Sequence, residues 1–125
     1  MTSKKILVCD DDPAMLTIVS HILVRKGFAV LTASDGEKGL ASIEANSPSL
    51  LILDMEMPRK NGIQVLEELR ARGTPVPYII VLSAHEGREK HELAMKLGAS
   101  EIMVKPFNAA DLLKKIERLA AQGRV

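Results

Sequence analysis

A second cysteine, an excess of charge of either sign and a long apolar run are all missing from this chain, and each absence removes a class of protein. Cys9 is the only cysteine, so no disulfide can form within the chain, and a small thiol inside an apolar run reads as a buried packing group. Seventeen Lys and Arg against sixteen Asp and Glu leave a formal net charge of +1. That is too little to hold nucleic acid phosphates or an anionic lipid surface by a global field, and neither is an expected ligand. The start, Met1 to Lys5 followed by Ile6-Leu7-Val8-Cys9, has too short an apolar stretch before Asp10 to be a signal peptide, and nothing later approaches a membrane span. A cytoplasmic address without membrane contact is the resulting expectation.

What is present is the balance of an ordinary globular domain. With 125 residues, 46% hydrophobic and 26% charged, the chain can bury a core without metal or disulfide staples. One domain over residues 1–125, with its core at about 4–119, is the expected organisation. Apolar runs of strand length alternate with segments of helical period: Lys5 to Cys9, Phe28 to Ala33, Leu50 to Leu53, Tyr78 to Leu82 and Ile102 to Val104. Most of these runs are continuously apolar, as strands covered by helices on both faces are. The reading is α/β.

Five helices fit between and after the strands. Asp12 followed by Pro13 opens the first, which carries Leu16, Val19 and Leu23 on one face and ends at Gly27. Ser34-Asp35-Gly36-Glu37 reads as a capping box for the second, with Leu40 and Ile43 inward. The third follows Asn61-Gly62 with Ile63, Leu66 and Leu69 inward. The fourth runs from about Glu86 to Leu97, polar and weakly patterned, anchored by Leu93, Ala94 and Leu97; Asn108 caps the fifth, striped by Leu112, Leu113, Ile116 and Leu119. Right-handed helical crossovers between strands imply a parallel sheet, and such sheets bind ligands beyond the carboxyl ends of their strands.

The residues at those ends are chemically pointed. Asp10, Asp11 and Asp12 follow the first strand, Asp54 the third, Ser83 the fourth and Lys105 the fifth. Clustered carboxylates repel, and at neutral pH they hold protons or recruit a cation; an all-oxygen site suits Mg²⁺. Adjacent Asp10 and Asp11 read as a metal pair. Asp54, alone at the end of a central strand, is the candidate nucleophile toward phosphorus, with Lys105 able to offset phosphoryl charge from the other side.

Ile6-Leu7-Val8-Cys9-Asp10-Asp11-Asp12, Leu51-Ile52-Leu53-Asp54-Met55-Glu56-Met57-Pro58, Val81-Leu82-Ser83-Ala84 and Val104-Lys105-Pro106-Phe107 together resemble the receiver domain of two-component response regulators, in that family's order and spacing, from about Lys4 to Leu119. The resemblance implies a doubly wound, flavodoxin-like sheet of five parallel strands in the order 2-1-3-4-5 with five helices. It implies that Asp54 accepts a phosphoryl group, that Asp10, Asp11, Asp54 and the backbone carbonyl of Glu56 hold Mg²⁺ or Mn²⁺, and that Ser83 and Lys105 engage the phosphoryl group. It further implies a cis Lys105-Pro106 peptide. The implied donor is a sensor histidine kinase or a histidine phosphotransfer protein. The output partner is open, the chain a monomer or a weak phosphorylation-dependent dimer, and the receiver either free-standing or cut from a longer regulator.

Some positions depart from that pattern or admit plainer readings. Ile102 stands where the family often has an aromatic that swings inward as the hydroxyl moves, so any response must be smaller or carried by the loop after Ser83. Glu56 and His85 occupy positions where the family tunes loss of the phosphoryl group to water, although His85 also reads as a solvated loop residue. Asp12 is expected to be a helix cap, and His21 and His91 surface residues. Because the first helix and the loop after the Lys face the phosphodonor in the family, the resemblance implies a candidate docking patch at Met15, Ile18, Pro106 and Phe107, against the plainer reading that the Met15, Ile18 and Ile22 row packs on the fifth helix.

Three other functions are weighed against the receiver. A phosphohydrolase of the haloacid dehalogenase type would use Asp10 and Asp12, leaving Asp54 unexplained. A flavin or nucleotide binder needs a Gly- or Ser-rich loop where three aspartates stand. A never-phosphorylated interaction module has no need of the full acidic set with Ser83 and Lys105.

Overall fold

In the computed structural model, which describes residues 4–84 and 87–125, strands and helices alternate through the chain. They are β1 (Lys5–Cys9), α1 (Pro13–Arg25), β2 (Ala29–Ala33), α2 (Gly36–Asn46), β3 (Leu50–Asp54), α3 (Gly62–Arg72), β4 (Tyr78–Ser83), α4 (Arg88–Lys96), β5 (Glu101–Val104) and α5 (Ala109–Ala121). All neighbouring strands are parallel, in the order β2-β1-β3-β4-β5, as the family resemblance implies. Because side chains alternate across a strand, β1, β3 and β4 feed two cores at once. Leu7, Cys9, Leu51, Leu53 and Val81 pack with Leu40, Ile43, Val65, Leu66 and Ala94 on one face. Ile6, Val8, Leu50, Ile52, Ile80 and Leu82 pack with Val19, Leu23, Leu112 and Ile116 on the other. That is why these runs are continuously apolar.

Cys9 is fully buried, and its thiol is pushed up to about 12 by burial first and then by the charges of Asp10 and Asp35. It is a packing group, seated where Gly39 carries no side chain: a Cβ there would lie 2.8 Å from its sulfur.

Several local signals differ in detail from the sequence reading. The cap of α2 is Asp35 and not Ser34, its carboxylate accepting the backbone N–H of Lys38 at 2.8 Å. The helix therefore starts one residue later than the Ser34–Glu37 box requires. It starts on Gly36, where a Cβ would lie 2.1 Å from the Lys60 carbonyl oxygen. In α3 the reciprocal box is formed by Asn61 and Gln64, and Val65 is buried where Ile63 was expected to be the inward residue and is only half-buried. In α4 the buried residue is Ala94, and Leu93 is 42% exposed; one step along a helix turns a side chain by about 100°, enough to bring Leu93 out of the interface. Glu86, expected to open this helix, lies outside the described residues. Leu113 is half-buried rather than part of the innermost stripe of α5. Among the described residues, no helix is long and apolar enough to cross a membrane.

Candidate functional site

The register of the sheet sets the site. Asp54 is the last residue of β3, paired with Leu82 of β4, and Ser83 closes β4 opposite Val104; both are strand residues, one place further than the apolar runs alone suggest. Beyond the strands the backbone stays tied: Asp10 N–H donates to Ala33 O at 3.1 Å, Met55 N–H to Leu82 O at 2.9 Å and Lys105 N–H to Ser83 O at 2.7 Å. The Lys105-Pro106 peptide is cis. These bonds hold Asp10, Asp54, Ser83 and Lys105 together at the carboxyl ends of the strands.

Asp10 and Asp54 are buried and Asp11 is exposed, and each offers a carboxylate oxygen within 4.8 Å of the others. Lys105 Nζ donates to Asp10 Oδ2 at 3.0 Å and lies 3.5 Å from Asp54 Oδ1. The Glu56 backbone N–H donates to Asp54 Oδ1 at 3.2 Å, and that of Asp12 to Asp10 Oδ1 at 3.0 Å. Asp12 itself turns away from the cluster: its carboxylate accepts the Ala14 N–H and caps α1. Gly62 lets the start of α3 press on the acid-bearing strand end, since a Cβ there would lie 2.7 Å from the Asp54 carbonyl oxygen and 2.8 Å from Met55 Cα.

Asp10, Asp11 and Asp54 outnumber the Lys105 ammonium that contacts two of them, and the surplus charge bears on Asp54 and Lys105. Burial, and next the Asp10 charge, push Asp54 up to about 6, against the pull of the Glu56 N–H and Lys105. Burial works to lower Lys105, but its hydrogen bond to Asp10 and the charges of Asp54 and Asp10 more than offset that and raise it. A pit with surplus negative charge and oxygen donors only is chemically suited to a small hard cation. A groove of about 670 Å³ opens beside it, with Asp11, Glu56, Pro58, Asn61 and Lys90 in its walls.

Ser83 is buried, and its Oγ lies 3.3 Å from Nε2 of His91 on α4. The expectation of a surface role for His91 is thus corrected: it is half-buried at the edge of the site, whereas His21 is exposed as expected. Nothing in the sequence marks this contact, because the turn of a helix with few apolar residues is not fixed by its pattern. Glu56 is exposed at the groove, and His85 lies outside the described residues. Of the row on α1, Ile22 faces Ala109, Leu112 and Leu113 of α5, Met15 is half-buried, and Ile18 is 52% exposed.

Residues 6–117 match the family model for the response regulator receiver domain. The chain is 34% identical over 123 residues to the alkaline phosphatase synthesis transcriptional regulatory protein PhoP of Bacillus subtilis, covering 98% of this chain and 51% of that protein. It is 41% identical over 116 residues to the transcriptional regulatory protein CpxR of Klebsiella pneumoniae, covering 92% and 48%. The chain thus spans about half the length of these curated relatives. Among solved structures, the receiver domain of the Francisella response regulator 1452 superposes with a TM-score of 0.87 at 27% identity, over 97% of this chain and 99% of that one.

Proposed function

The chain belongs to the response regulator receiver family, and from that premise we propose that Asp54 is its phospho-acceptor, within a single receiver domain over residues 1–125. The observation that carries this reading is a buried Asp54 with Asp10 and Asp11 oxygens within 4.8 Å and, 3.5 Å away, the Lys105 ammonium that also bonds Asp10. The Asp54 carboxylate attacks phosphorus, a P–O bond forms, the P–N bond of a donor phosphohistidine breaks, and the leaving imidazole keeps the electron pair and takes a proton.

Asp10, Asp11, Asp54 and the backbone carbonyl of Glu56 are the groups that would hold Mg²⁺, or Mn²⁺ in its place. When bound, the cation neutralises the carboxylates and the phosphoryl oxygens they meet. Lys105 balances charge on the opposite side, and the Ser83 hydroxyl donates to a phosphoryl oxygen. The chain is thus an acceptor rather than a turnover enzyme, and loses its phosphoryl group to water approaching along the groove walled by Glu56.

The donor is a sensor histidine kinase or a histidine phosphotransfer protein in the cytoplasm, docking on Met15, Ile18, Pro106 and Phe107, where Ile18 offers the exposed apolar surface. The output is protein contact, including weak phosphorylation-dependent pairing of an otherwise monomeric chain, without nucleic acid or membrane contact by this domain. Labelling with acetyl phosphate and Mg²⁺ tests the core of the reading: label is expected on Asp54 and absent from Asp54→Asn. Label on Asp10 would instead support the phosphohydrolase reading.

A further inference from the structure

The contact between Ser83 and His91 joins the site to a helix with one buried side chain. Ser83 ends β4, buried, and its Oγ lies 3.3 Å from His91 Nε2. In α4 the N-cap Gly87 provides no side-chain cap, and Ala94 is the buried side chain. Leu93 and Met95 are 42% and 48% exposed. At its far end α4 is tied to α3 by the Arg70 guanidinium, which donates to the Lys96 carbonyl at 2.6 Å. Near its start, one tie among the described residues is made to the hydroxyl that the phosphoryl group needs.

We infer that His91 is a positioning residue for Ser83, a latch whose imidazole accepts the hydroxyl proton and holds the side chain toward α4 until Asp54 is phosphorylated. A serine hydroxyl carries one proton, so it cannot donate fully to the imidazole and to a phosphoryl oxygen at once. Donation to the phosphoryl group breaks the His91 contact and releases the start of α4. The aromatic rotamer that Ile102 cannot supply is thereby replaced by a change in α4 itself. This inference rests on Asp54 being the phospho-acceptor.

The test uses beryllofluoride with Mg²⁺ as the phosphoryl mimic, with binding read by calorimetry and ring and amide resonances by NMR. A latch worth an ordinary net hydrogen bond opposes binding by about two- to tenfold. His91→Leu should therefore tighten beryllofluoride binding by that factor, His91→Gln, whose amide oxygen accepts the same proton, should restore the parent affinity, and in a Ser83→Ala background His91→Leu should change nothing. In the parent, beryllofluoride should shift the His91 ring nitrogens and the α4 amides, a readout that does not depend on any variant folding. Unchanged or weakened binding by His91→Leu, or a ring that does not respond, overturns the latch. Parent protein that fails to bind, or Asp54→Asn that binds equally, overturns the phospho-acceptor reading instead.

Discussion

Asparagine nearly matches aspartate in shape and keeps an oxygen for the Glu56 N–H, so Asp54→Asn removes one charge from the acidic pit and little else. In the folded chain that charge is costly: the Asp54 proton affinity lies at about 6 against an ordinary 3.8, with burial the main cause and the Asp10 carboxylate the next. The gap converts to about 3 kcal/mol at roughly 1.4 kcal/mol per pH unit. The sign follows from linkage. Between pH 3.8 and about 6 the folded state keeps a proton that the unfolded chain has released, so stability falls as pH rises through that window, and above it the whole cost is present. Asp54→Asn should therefore stabilise the metal-free protein by about 1–3 kcal/mol at pH 8, the lower figure allowing for an amide N–H₂ that must find its own acceptor. The gain should shrink toward zero near pH 4. Urea unfolding in EDTA at several pH values measures this directly, and millimolar Mg²⁺ should narrow the difference by binding the parent better. A variant less stable than the parent at pH 8, or a gain that does not vary with pH, would show that the charges in the pit do not govern its energetics.

The remaining expectations are independent of one another. Mg²⁺ affinity should fall about tenfold per pH unit below about 6, as Asp54 takes up its proton; calorimetry at pH 5 and pH 8 giving one value would exclude Asp54 as a ligand. Gly62→Ala should cost about 2 kcal/mol or more in chemical denaturation, because the new Cβ meets the Asp54 carbonyl and Met55 Cα, both backbone atoms that cannot swing aside. Tyr78, the only tyrosine, is raised to about 12 by burial first and then by its hydrogen bond to Glu101. Its ultraviolet titration should move back toward 10 in Glu101→Gln, and an unmoved midpoint would leave burial as the whole cause.

The parts of the fold that are legible in the sequence are those where burial alone decides the residue. Ile6 to Cys9, Leu50 to Leu53 and Ile79 to Leu82 are apolar because each strand faces a core on both sides, and Asp10, Asp54, Ser83 and Lys105 become a site once those strands are parallel. What escapes the pattern depends on a single rotation or a single atom. Ser34 and Asp35 are both good caps, and the choice between them falls to the close fit of Gly36 on Lys60. Leu93 looks like an anchor until the turn of α4 is known, and His91 looks like a surface histidine for the same reason. A nine-residue helix with one buried side chain carries too little periodicity to state which way it faces.

That uneven legibility follows the physical division of the site. Asp10 and Asp54 extend the central strands β1 and β3, whose side chains are almost wholly inaccessible on both faces. Like charges repel hard at this spacing, and a backbone bonded on both edges, together with the Lys105 ammonium that contacts both carboxylates, keeps them from moving apart. Ser83 ends a strand just as firmly bonded, yet its hydroxyl reaches an imidazole on the least buried helix of the described chain. The unfavourable charges thus sit where the backbone cannot yield, which in the proposed reading keeps Asp54 poised for a cation and a phosphoryl group. In the proposed reading the response sits where a single hydrogen bond can be exchanged for another, near the start of α4 and away from Ala94, the buried side chain of that helix.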